Sequence, residues 1–115
     1  MRLSDEQIEK RMSVLRAKAR EYAKAKAEYD YLEDFKKSKV AILMKVAEVQ
    51  GFKTSAAQER EALAHDEYLQ LLKGLQVANE EAERLRWELK LAELASEIWR
   101  TNESTRRAEM RGYAG

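Results

Sequence analysis

The sequence predicts an all-α protein: an antiparallel hairpin of two long, coiled-coil-like helices joined by a short connecting helix, dimerising into a helical bundle. Three observations predict it. Apolar and small residues fall at Leu71, Leu75, Ala78, Ala82, Leu85, Leu89, Ala92, Ser96 and Trp99, with gaps that alternate four and three. Glu, Arg and Lys fill most positions between, which makes this stretch the heptad seam of a helix packed along its length against another. The 115 residues contain no proline and only four glycines, a composition that a many-turned β fold rarely tolerates. Finally, Gly51 and the polar residues around it mark one stop and one restart near the middle of the chain.

The first helix is expected from about residue 4 to 50. Ser4 opens it, Gln7 stands at the capping-box spacing, and Asp5 and Glu6 suit the positive end of the helix dipole. Its seam reads Ile8, Met12, Leu15, Ala19, Tyr22, Ala25, Tyr29 and Leu32. Gly51 is the expected C′ residue, with Phe52 folding back on Val46 or Ala47 in a Schellman stop. From Val40 to Val49 apolar residues cover more than one face, so a short third helix or a second subunit is expected to cover this end.

Ser55 and Gln58 form a second capping box, opening a short helix at about 56–64. His65 and Asp66 break it, and Asp66 is expected to cap a second long helix running from about 66 to 100. Thr101, Asn102, Ser104 and Thr105 are weak helix formers, so that helix stops, frays or resumes to 111. Gly74 inside it implies either close backbone approach to the first helix or a tolerated surface glycine. Folding the chain about residue 59 pairs Ile8 with Met110, Ala19 with Trp99, Tyr22 with Ser96, Tyr29 with Leu89, and Leu32 with Leu85. Large residues then face small ones. A bare two-helix hairpin buries little, so self-association is expected as well.

A single domain of this size, without cysteine, has no disulfide framework and fits a reducing compartment. No apolar run approaches the ~20 residues that span a bilayer, and Met1–Glu6 lacks a signal-peptide core. A cytoplasmic protein with no membrane contact is the expectation. No cofactor or metal is expected, and no catalytic residue stands out. His65 is the only histidine, and Glu61 precedes it by four residues rather than the three of a Glu-x-x-His ligand pair. Gly51-Phe52-Lys53-Thr54-Ser55 lacks two glycines of a phosphate loop and follows a helix, not a strand. The adjacent carboxylates Asp5/Glu6, Glu33/Asp34 and Glu80/Glu81 do not face each other on a helix.

Charge distribution is the informative signal. The net charge is only +1, yet Lys10 to Lys26 holds seven basic residues and one acidic. Arg100, Arg106, Arg107 and Arg111 cluster near the other terminus. In the hairpin these stretches meet, and Lys10, Arg11, Arg16, Lys18, Arg20, Arg100, Arg106, Arg107 and Arg111 form a basic open end able to grip a phosphate backbone. At the closed end, Ile42, Leu43, Met44, Val46, Val49 and Phe52 form a candidate docking face for a protein partner.

The residues Gln58-Glu59-Arg60-Glu61-Ala62, His65-Asp66-Glu67-Tyr68, Leu85-Arg86-Trp87, Glu97-Ile98-Trp99-Arg100 and Glu103-Ser104 resemble a family of short helical proteins of tailed bacteriophages and prophages. The likeness covers roughly the last two thirds of the chain. Such proteins are often encoded near phage recombination or replication genes. The resemblance implies a non-enzymatic accessory role in the host cytoplasm, and it carries over no functional residue. The leading expectation is therefore a protein that binds single- or double-stranded DNA, a phage recombinase or a single-strand-binding partner. The alternatives are an inhibitor or adaptor that binds a host nuclease or defence protein, and a structural coiled-coil part of a phage assembly.

Overall fold

A computed structural model describes residues 3–114, and side chains from Asp5 to Tyr113. Three helices follow one another: α1 (Leu3–Val49), α2 (Ser55–Ala64) and α3 (Asp66–Ala114). The fold is the expected all-α long-helix hairpin with a short helix in its connection, and no strand occurs among the described residues.

The end of α1 is fixed by its glycine. Gly51 takes φ 106°, a left-handed conformation that costs an L-residue about 1–2 kcal/mol. The Gly51 N–H donates to Glu48 O at 3.1 Å, and the Phe52 N–H donates to Ala47 O at 3.1 Å. These are the two bonds of a complete Schellman motif.

Both caps in the connection lie one residue earlier than the sequence suggests. Thr54, not Ser55, is the N-cap of α2: its backbone is extended, and its Oγ1 accepts from the Ala57 N–H at 3.1 Å. Gln58 closes no capping box. Its Nε2 donates instead to Phe52 O at 2.9 Å, tying α2 to the turn before it. His65, not Asp66, joins α2 to α3. Its N–H donates to Ala62 O at 3.2 Å, its carbonyl accepts from the Tyr68 and Leu69 N–H groups, and its Nδ1 accepts from the Glu67 N–H at 3.1 Å. One residue thus ends one helix and caps the next. The backbone of Ser4 is already helical, and its side chain lies outside the described residues.

The contacts divide the chain into two compact units. The first joins Met1–Tyr22 to Arg84–Gly115, and the second is Ala23–Glu83. The second unit holds the three most shielded side chains, Leu43 and Ala47 on α1 and Ala62 on α2. The short helix therefore contributes part of the cover expected for Val40–Val49, while Ile42, Val46 and Val49 stay exposed. Lys39 Nζ lies 3.7 Å from Glu67 Oε2 across this unit. Beside it, the Glu33 carboxylate, 3.0 Å from Lys36, holds that ammonium above its ordinary pKa.

All nine seam residues from Leu71 to Trp99 are shielded, and Leu75, Ala82 and Leu85 are buried. The four-three rhythm continues to Glu103, which is half-buried. Gly74 has open space where a Cβ would stand, so it is a tolerated surface glycine, not a close approach.

The register differs from a fold about residue 59. In the first unit Arg11, not Ala19, lies on Trp99, and Lys18 meets Glu88. With Lys39 and Glu67 in the second unit, these pairs centre on residues 53–55, because the chain already reverses where the Gly51 stop and the Thr54 cap sit together. Ile8 consequently lines a groove with Met12 and Trp99, and Met110 is exposed. Along α1, Leu15, Tyr22, Ala25, Tyr29 and Leu32 are shielded as the seam predicts. Arg11 and Lys18 are shielded where Met12 and Ala19 were expected, since their long methylene stems cover apolar surface while the charged heads reach out.

Candidate nucleic-acid interface

The first unit carries thirteen basic and nine acidic residues, whereas the second carries nine basic and twelve acidic. The net charge of +1 therefore hides an uneven distribution, and the basic excess belongs to the unit that joins the start of α1 to the end of α3.

Four of the nine expected phosphate-binding residues are committed elsewhere. The Arg11 guanidinium stands 4.7 Å from the centre of the Trp99 ring, a cation–π contact within the packing. Lys18 Nζ lies 3.7 Å from Glu88 Oε2, and the same carboxylate accepts from Arg84 Nη1 at 2.8 Å. Arg16 donates to Glu9, about two helical turns back, at 2.8 Å. Arg106 donates to Glu103 at 2.9 Å. A carboxylate a few ångströms away offsets part of the field that a phosphate would feel.

The other five, Lys10, Arg20, Arg100, Arg107 and Arg111, are exposed, and no ion pair engages them among the described residues. Three of these form one row. Arg100, Arg107 and Arg111, with Ser104 between the first two, are spaced four, three and four along α3 and so share one face. This part of the helix is continuous. The weak formers at 101–105 do not break it, since each costs only a few tenths of a kcal/mol relative to alanine and extending a helix is far easier than starting one. From Ser104 to Tyr113 every residue is exposed.

No family model, curated protein or solved structure matches the chain.

Around Trp87, which the sequence did not mark as a site residue, sit Arg86 at 5.1 Å and Lys90 at 4.9 Å from the ring. The signal for this cluster was present in the spacing of Trp87, Leu91, Leu94 and Ile98, a second four-three-four row on the same helix. Of the expected partner-binding residues in the second unit, Leu43 is 2% exposed and belongs to the core. Met44 and Phe52 are half-buried, while Ile42, Val46 and Val49, spaced four and three, form an exposed apolar row.

Proposed function

We propose that this protein works by binding, not catalysis, and that its ligand is a nucleic-acid backbone. The observation that carries the reading is the exposed arginine row Arg100–Arg107–Arg111, unpaired among the described residues, with Arg107 and Arg111 on a stretch of helix exposed on every side. Arginines spaced along one helix face neutralise successive phosphates without reading base edges, so binding is independent of sequence and falls steeply with salt. Lys10 and Arg20 on α1 extend the same basic unit. His65, the only histidine, serves the joint between α2 and α3: its Nδ1 accepts from the Glu67 N–H, with the Glu67 carboxylate 3.9 Å away. The resemblance to phage helical proteins suggests the setting, an accessory to DNA recombination or replication in the host cytoplasm, alongside a recombinase or single-strand-binding protein.

A gel shift with single- and double-stranded DNA at low salt tests the reading. The wild-type protein is expected to bind both. The triple variant Arg100→Glu, Arg107→Glu, Arg111→Glu is expected to lose at least tenfold in affinity, about 1.4 kcal/mol. A folded wild-type sample that shifts neither DNA overturns it.

A second reading rests on the exposed apolar row Ile42–Val46–Val49, in which Val49 is 88% exposed. It makes the protein an adaptor or inhibitor of a host nuclease or defence protein. A co-purifying host protein lost on Val46→Asp and kept on Arg107→Glu favours this reading over the first.

A further inference from the structure

Helix α3 is apolar on two sides. One is the seam covered by α1. The other is Trp87, Leu91, Leu94 and Ile98, all within the first unit and between 51% and 63% exposed. At 3.6 residues per turn, this row stands roughly 150° around the helix from the covered seam. We propose that it is the self-association surface of the protein, covered by the same row of a second copy running antiparallel.

Three observations select a second copy. The chain leaves 8952 Å² in contact with water. A monomer of its mass, 13.4 kDa, ordinarily leaves roughly 6,500 Å². The excess is surface that long, thinly packed helices leave uncovered, and this row is an apolar part of it. The row is also self-complementary. Reversed about Ala92 and Glu93, it sets Trp87 beside Ile98 of the partner subunit and Leu91 beside Leu94 of the partner subunit, as a two-fold axis requires. Finally, the flanking charges match only in that direction. Antiparallel pairing brings Lys90 alongside the partner subunit's Glu97, and symmetry repeats the attraction. Parallel pairing sets Lys90 against the partner subunit's Ala95 and Glu97 against the partner subunit's Asn102, with no ionic attraction in either pair. The proposal does not depend on nucleic-acid binding.

Sedimentation equilibrium of the full chain at micromolar concentration is expected to give twice the 13.4 kDa mass. Leu91→Asp is expected to give a monomer with unchanged helix content by circular dichroism. Because a core-like substitution can perturb folding, the exposed charges supply the second test. Lys90→Glu alone and Glu97→Lys alone each place like charges in both flanking pairs, and each is expected to weaken self-association roughly tenfold. Mixed in equal amounts, the two variants are expected to recover wild-type affinity, because each supplies the charge the other lacks. A monomeric wild type overturns the proposal. So does a dimer that all three variants leave intact, or a mixture no tighter than the single variants.

Discussion

Gly51 and Gly74 show how much a single residue's identity reveals. Gly51 sits at φ 106° with two Schellman bonds around it, and only its residue type makes that turn inexpensive. Gly74 is an interior helical residue with empty space beside it. The same substitution is therefore expected to act in opposite directions. Gly51→Ala destabilises by about 1–2 kcal/mol, from the left-handed backbone. Gly74→Ala stabilises by about 1 kcal/mol, from helix propensity. Urea unfolding at one fixed protein concentration measures both, and a stabilising Gly51→Ala contradicts the motif. The stop at Gly51 was legible because positive φ is nearly a property of one residue type. The caps were not: Thr54 and Ser55 are neighbours of similar competence, and His65 takes the capping place beside Asp66, the residue that capping preference favours. Which of each pair takes the extended backbone is decided by how the turn joins the helices.

Among the elements, α3 was the most legible. Its seam is a property of spacing alone, and every residue it names from Leu71 to Trp99 is shielded. Leu85, 7% exposed, is expected to lose about 2–4 kcal/mol on Leu85→Ala, as a buried leucine does when a cavity is left behind. Leu69→Ala, at an exposed position of the same helix, is expected to cost well under half of that. Equal losses at the two sites in thermal or urea unfolding contradict the packing described for α3. Helix α1 was less legible over its first half. Arginine and lysine can stand in a seam by their stems, so Arg11 and Lys18 took places that the apolar pattern gave to Met12 and Ala19. The same ambiguity hid the register, which depended on where in the connection between the long helices the chain turns.

At the scale of the whole molecule, the charge bias was readable from the sequence, but not which charges are free. That depends on which carboxylate comes within reach. Glu9, Glu88 and Glu103 each engage a base that composition counted as available, while Arg100, Arg107 and Arg111 meet no acid among the described residues. The end of α3, not the whole basic unit, is thus the dominant contact proposed for a polyanion. The salt dependence of duplex-DNA binding measures this most directly, because the slope of log K against log salt counts the phosphates neutralised. The wild-type slope is expected to be steep, and Arg107→Ala with Arg111→Ala is expected to reduce it by about 2, while Arg16→Ala leaves it nearly unchanged. A slope near zero in the wild type, or one that the double variant does not alter, contradicts the account.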